Sequence, residues 1–302
     1  MARLLDVRQI SKSFGSTQAL RRASFSLDAG EVHALVGENG AGKSTLMKIL
    51  AAVYQKEEGH VLLDGVEVNP QTPQAARSLG ISTVFQELSL CNNLSVAENI
   101  FANREPASFG LVNHRLLNKL TDDHLREFAF SIPADTLVGD LNLAQKQIVE
   151  ILKAMALKAR VRILDEPTSA LERTDVQRLF KLLARLKAQR TGIIFISHKL
   201  DEVFQIADTI TVFRDGEHIA TLRSSDTDRG TIMKYMVGRE IHQIYPPKAK
   251  VQGRERLKVT NFCLHDTFEA ITFDLHEGEI LGVAGLTGSG RSEVMQSIFS
   301  LS

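Results

Sequence analysis

Eight consecutive residues, Gly37-Glu38-Asn39-Gly40-Ala41-Gly42-Lys43-Ser44, fit the pattern G-x-x-x-x-G-K-[S/T] without a mismatch. Glycines let backbone N–H groups turn inward on a polyanion, and a helix starting at such a loop aims the positive end of its dipole at the same point. A lysine closing the loop can reach the outer phosphates of a nucleotide, and the hydroxyl beside it can ligate Mg²⁺. Chemistry at that point also needs a carboxylate for the metal and a base for water. Arg162-Ile163-Leu164-Asp165-Glu166 supplies both at the close of an apolar run. Asp165 would hold the metal shell and Glu166 would polarise the attacking water. An acidic pair closing a strand is by itself more often a turn or a helix cap, so its weight comes from the matched loop in the same stretch of chain.

These groups need a scaffold. Residues 31–36 form an apolar run ending in the loop, and 45–50 continue it as a helix. Strand, tight loop and helix in that order open a parallel α/β unit. Further strands are predicted at 4–10, 23–28, 60–63, 81–85, 161–164 and 193–196. Helices are predicted at 95–103, 114–130, 143–157 and 172–189, the last with Val176, Leu179, Leu182, Leu183 and Leu186 on one stripe. The economical reading is a parallel sheet interrupted by a helical insertion at about 95–158. At 241–256, Tyr245-Pro246-Pro247 and the basic residues after it read as a linker. Beyond it, 257–262, 271–275 and 279–284 are strand-like again and end in Gly285-Leu286-Thr287-Gly288-Ser289-Gly290-Arg291-Ser292. That order repeats residues 4–44 at a period of roughly 250 residues.

Composition narrows the function classes. The 302 residues carry 36 Lys plus Arg and 36 Asp plus Glu, a net charge of zero, which weighs against a nucleic-acid partner. A 43% hydrophobic and 24% charged content is that of a globular chain. Two cysteines, Cys91 and Cys263, exclude a disulfide framework and suit a reducing compartment. No apolar run approaches the ~18 residues of a membrane span. Asp6 interrupts the N-terminal apolar residues too early for a signal-peptide core.

With these motifs in order, the chain resembles the nucleotide-binding subunits of ABC transporters, and among them the tandem-domain carbohydrate importers, over essentially all 302 residues. The resemblance implies an α/β P-loop NTPase of ABC type at 1–240. Such a domain has a mainly parallel sheet core, an antiparallel β subdomain and a helical insertion. After the linker, residues 257–302 would be the N-terminal fragment of a second copy, truncated early. It also implies roles. Phe14 sits where the family stacks an aromatic on adenine; Gly37 to Ser44, with Thr45, would bind ATP. Gln86 matches the glutamine that senses the γ-phosphate, sharing Mg²⁺ with Ser44 and Asp165. Glu166 and His198 would be catalytic, and Ser169-Ala170-Leu171-Glu172 resembles the loop crossing the dimer interface. Val237-Gly238-Arg239-Glu240 and the stretch 279–286 are similar to the carbohydrate-importer branch.

Two departures stand out. The family's signature, Leu-Ser-Gly-Gly-Gln, is replaced by Leu141-Asn142-Leu143-Ala144-Gln145, which loses both glycines and their close backbone approach. In the second phosphate loop (Gly285, Gly288, Gly290, Arg291, Ser292) arginine stands where lysine belongs, and its planar fork is not an equivalent phosphate ligand. In a head-to-tail ATP sandwich these two defects share one degenerate site. The intact set would face a second-domain signature that these 302 residues do not contain. The resemblance therefore implies a Mg-ATP-binding and hydrolysing subunit on the inner face of the cell membrane. Its partners would be membrane permease subunits and, indirectly, a periplasmic or surface sugar-binding protein. It would pair as a homodimer or with a polypeptide supplying the missing half. The alternatives are a soluble ABC-type ATPase acting on ribosomes or DNA, and a truncated remnant that binds ATP without turnover.

Overall fold

Period-two burial builds the first sheet. In the computed structural model, which describes residues 3–108, 111–128, 130–238, 253–285 and 288–299, β1 (Arg3–Phe14) and β2 (Thr17–Asp28) pair antiparallel. β2 buries Ala23, Phe25 and Leu27 at alternate positions. Both strands run further than the alternation predicts. Bulges between Val7 and Ile10 and between Ile10 and Lys12 shift the register, and Gln9 and Arg22 take positive φ, so the period slips and hides the outer halves.

β3 (Val32–Val36) leads into α1 (Lys43–Leu50). β4 (Glu58–Leu63) and β5 (Val66–Glu67) complete the antiparallel sheet in the order β2-β1-β4-β5. α2 (Pro73–Ser78) precedes β6 (Ile81–Val84). The insertion follows. It holds α3 (Val96–Ile100), a short hairpin of β7 (Ala107–Ser108) and β8 (Leu111–Val112), α4 (His114–Glu127) and α5 (Leu143–Met155). Val96, Ile100, Leu125, Phe130, Val138, Ile148 and Leu152 give it a core of its own. The chain then returns through β9 (Val161–Asp165), α6 (Arg173–Ala188), β10 (Gly192–Ile196) and α7 (Leu200–Ile206). A hairpin of β11 (Thr209–Arg214) and β12 (Glu217–Arg223) and then α8 (Arg229–Val237), which the sequence reading did not predict, close this part.

The larger sheet has the order β12-β11-β3-β10-β9-β6. Its strands are parallel except for the edge strand β12. β3, β9 and β10 are buried along their whole length, as strands covered on both faces must be. Neighbouring residues serve opposite faces: Ile163 and Ile194 pack with α1 and the antiparallel sheet, whereas Leu164 and Phe195 pack with α5 and α6. β3, β10 and β9 lie side by side and β6 flanks them, so the loops after these parallel strands open at one edge, the usual place for a ligand in such sheets. No helix among the described residues is long and apolar enough to cross a membrane.

The chain divides into two units, Met1–Glu240 and Ile241–Ser302. The expected linker lies outside the described residues over 241–252, as do Arg239, Glu240, Leu286 and Thr287. In the second unit β13 (Glu255–Leu264) and β14 (Phe268–His276) form an antiparallel hairpin, and α9 (Arg291–Ile298) follows a glycine-rich turn. One expectation fails here. Residues 279–284 form no strand, and Ile280 is 93% exposed. In the first unit β3 is held between β10 and β11; among the described residues after 285 there is no strand to play either part, and an apolar run without partners does not become a strand.

Candidate functional site

The glycine loop is positioned by β3 on one side and α1 on the other. Gly42 is the N-cap of α1 at φ 92°. A Cβ there would lie 2.6 Å from the Ala19 carbonyl oxygen and 2.7 Å from Leu20 Cδ2, so no other residue fits without moving β2. Lys43, the first residue of the helix, is 8% exposed. Its Nζ donates to the carbonyls of Gly37 at 2.8 Å and Glu38 at 2.9 Å. Burial pushes this ammonium below its ordinary pKa, and the Asp165 and Glu166 carboxylates pull the other way.

Asp165 ends β9 and is buried. Burial raises its pKa, while the Ser44 hydroxyl donating to it and the Lys43 charge oppose the rise. Glu166 follows in the left-handed region at φ 47°, a strained conformation for a residue with a side chain. The turn is held because the Glu166 N–H donates to Ile196 O at the end of β10, 3.0 Å away. Two residues past β10, His198 places Nδ1 3.0 Å from Glu166 Oε1. Lys199 Nζ donates to Thr168 O at 3.1 Å and steadies the turn after Glu166.

A cavity of about 440 Å³ gathers residues 39–45 with Gln86, Asp165 and Glu166. Gly37 and Glu38 border it through their bonds to Lys43, and His198 through Glu166. Phe14, at the end of β1, does not line the cavity. It stands 43% exposed, edge-on to Tyr54 at 5.1 Å with Lys12 Nζ 5.5 Å from its ring centre. Sequence reasoning missed Thr17, Gln18 and Ala19, which the turn after β1 brings to the wall. It also missed Lys48, four residues beyond Ser44 on the same face of α1. Lys48 lines an adjoining cavity of about 350 Å³ that shares Ser44, Gln86 and Asp165. The i, i+4 spacing was the available signal for Lys48; for 17–19 none exists without the hairpin.

The expected Mg²⁺ ligands suit that ion. A hydroxyl, an amide carbonyl and a carboxylate on one cavity wall are hard oxygen donors. Among the described residues no three His, Cys, Asp or Glu side chains cluster as a metal cage. Sparse protein ligation completed by substrate phosphates is the usual Mg²⁺ arrangement.

The signature stretch stands apart from this cavity. Leu141 is buried, and Asn142 caps α5: its Oδ1 accepts from Gln145 N at 2.9 Å while Gln145 Oε1 accepts from Asn142 N at 3.1 Å. Leu143 and Ala144 are the first helical residues, and Leu143 is exposed. In the second unit Gly290 caps α9 at φ 79°, and Arg291 opens that helix as Lys43 opens α1. Gly285, Gly288 and Ser292 flank it within the same turn and helix start.

A glycine loop between a central parallel strand and a helix, with an acid pair closing a strand one place removed in the same sheet, defines a P-loop fold. The antiparallel sheet and helical insertion make it an ABC-type ATPase fold. Residues 20–169 match the family model described as ABC transporter. The fold is shared with a nucleotide-free ATP-binding cassette from an ABC transporter (TM-score 0.67, 24% identity, 78% of this chain, 95% of the other). A cassette of an ABC transporter in its ADP conformation is similar (TM-score 0.66, 24% identity, 79% and 100%). The chain is 44% identical over 299 residues to a protein of Pseudomonas savastanoi pv. phaseolicola named putative ribose/galactose/methyl galactoside import ATP-binding protein, covering 99% of this chain and 57% of that one. It is 43% identical over 294 residues to the ribose import ATP-binding protein RbsA of Chromobacterium violaceum, covering 97% and 59%. This chain therefore spans 57–59% of the length of these curated relatives.

Proposed function

We propose that residues 1–240 bind and hydrolyse Mg-ATP as the motor of a carbohydrate importer of the ABC type. The observation carrying this reading is the convergence of Lys43, Ser44, Gln86, Asp165 and Glu166 on one cavity wall. Lys43 exchanges its loop carbonyls for the β- and γ-phosphates, and loop N–H groups hold the polyphosphate. Ser44, Gln86 and Asp165 would hold Mg²⁺, which supplies charge neutralisation at the phosphates when bound. Glu166 orients and deprotonates the attacking water, and His198, bonded to Glu166, holds that carboxylate and meets the γ-phosphate. Phe14, exposed outside the cavity wall, would stack on adenine only where the base extends beyond that wall. Its partners would be membrane permease subunits and a sugar-binding protein, with the chain at the inner membrane face; the relatives' printed names, import ATP-binding proteins for ribose or galactose, support the sugar-import part of this reading.

Catalysis needs an opposing signature, so the cassette works in a head-to-tail sandwich with another domain. Residues 257–302 belong to a second copy of the cassette fold whose Arg291 site is degenerate. A second reading, ATP binding without turnover by this chain alone, is favoured by the signature turn, where Asn142 and Gln145 are committed to capping α5.

Phosphate release by the 302-residue chain with Mg-ATP, beside a Glu166→Gln variant, separates the readings. Turnover should fall about 10²- to 10⁴-fold in the variant, the contribution of a general base, with ATP binding retained. Equal turnover in both proteins would remove Glu166 from the mechanism. ATP binding without turnover in either would establish the second reading.

A further inference from the structure

Arg162 breaks the pattern of its strand. β9 is buried throughout, Val161, Ile163 and Leu164 are apolar, and Arg162 stands among them at 5% exposure. Burying a guanidinium without a partner is costly, and an apolar residue there would serve stability as well or better. Burial pushes its pKa down to about 10, with no neighbouring charge to oppose the fall.

Its N–H groups run instead to the C-terminal end of α5. Nη1 donates to Ala154 O at 2.7 Å, and Nη2 donates to Leu157 O at 2.9 Å and Met155 O at 3.4 Å. A helix leaves its last carbonyls without intrahelical donors, and a cation there meets the negative end of the dipole. Ser82 Oγ, on β6, donates to the same Ala154 O at 3.2 Å. β6 runs on to Gln86 and β9 runs on to Asp165 and Glu166. One end of α5 is thus tied to both strands that carry the γ-phosphate end of the cavity, and its other end begins at the signature turn. Arg104 makes a different connection: it joins Ala156 O to Ile100 O at 2.9 and 2.7 Å and stays within the insertion. Arg162 Nε–H has no acceptor among the described residues, which leaves one donor for re-pairing when the helix shifts.

We propose that Arg162 is a positioning residue which, with Ser82, clamps α5 to β9 and β6 so that ATP and Mg²⁺ at the Lys43–Glu166 site displace the signature turn 141–145. This rests on the ATP-binding reading above. A helix of 13 residues is about 20 Å long, so a small rotation at its clamped end is enlarged at the other.

The test is amide hydrogen exchange over residues 141–147 in the 302-residue chain, with and without a non-hydrolysable Mg-ATP analogue, its affinity measured on the same samples. In the unmodified chain the analogue should change exchange there by about tenfold, an ordinary coupling between sites. Arg162→Met should keep the melting temperature and analogue affinity but lose that change. Arg162→Lys, which retains the charge and reaches fewer carbonyls, should recover part of it. An undiminished change in Arg162→Met would overturn the proposal, as would bound analogue without any change in the unmodified chain. Loss of folding in both variants would make Arg162 a stability residue and overturn it too. Failure of the unmodified chain to bind the analogue at all would instead refute the ATP-binding reading on which the proposal stands.

Discussion

Asp165 shows how function and stability oppose each other in one side chain. Burial raises its pKa above the ordinary carboxylate value of about 3.9, so the folded state holds this proton more tightly than the unfolded chain does. The stability so contributed is complete below the ordinary value and is lost as pH rises through the raised one. At neutral pH the ionised carboxylate is a burden that Mg²⁺ would relieve. Asp165→Asn keeps an acceptor for Ser44. It should raise the melting temperature of the nucleotide-free chain by a few degrees at pH 7 and by much less at pH 4, while weakening Mg-dependent ATP binding. Thermal unfolding at the two pH values checks this, and an equal or lowered melting temperature at pH 7 would contradict it. The candidate chemical residues could be read from sequence because an apolar run leads into each group: β3 into the glycine loop that ends in Lys43 and Ser44, and β9 into Asp165 at its last position with Glu166 next. The proposed role of Phe14 had no such local support, and the wall at Thr17 to Ala19 depends on a hairpin bend that no spacing announces.

Secondary-structure elements explain why the signature stretch departs from the family pattern without losing its helix. Asn142 and Gln145 form a reciprocal cap, and Leu143 and Ala144 are better helix formers than the glycines they stand in for. Asn142→Ala should cost about 1 kcal/mol and speed amide exchange at 143–146, while nucleotide affinity at Lys43 stays unchanged. Unaltered exchange at these amides would show that the cap carries no weight. The elements that escaped the sequence reading have identifiable reasons. β11 and β12 are joined by Asp215-Gly216, both at positive φ (52° and 80°), a two-residue hairpin signal that was present and unused. The outer parts of β1 and β2 were hidden by bulges. Residues 279–284 misled in the opposite direction: their apolar content is that of a sheet-centre strand, but strand formation depends on neighbours that local pattern cannot supply.

For the molecule as a whole, the loops after β3, β6, β9 and β10 meet because those strands are parallel and adjacent, and this places the candidate site entirely within the first unit. A chain ending at Gly238 should therefore bind Mg-ATP with an affinity within about threefold of the 302-residue protein, as expected of a domain with its own core. Titration of both proteins side by side checks this, and lost binding in the shorter one would mean that residues beyond 238 complete the site. The second unit has its own hairpin, glycine turn and helix start, and in it Ile280 and Phe299 are exposed.

The most direct test of the central claim is equilibrium binding of a fluorescent ATP analogue to the unmodified chain and to Lys43→Ala, with Mg²⁺ and with EDTA. Replacing a charged donor to phosphate costs about 1.5–3 kcal/mol, so affinity should fall about 10- to 150-fold in the variant, and in the unmodified chain it should weaken when the metal is chelated. Equal, metal-independent affinity in both proteins would mean that the nucleotide does not occupy the cavity built around Lys43, Ser44 and Asp165.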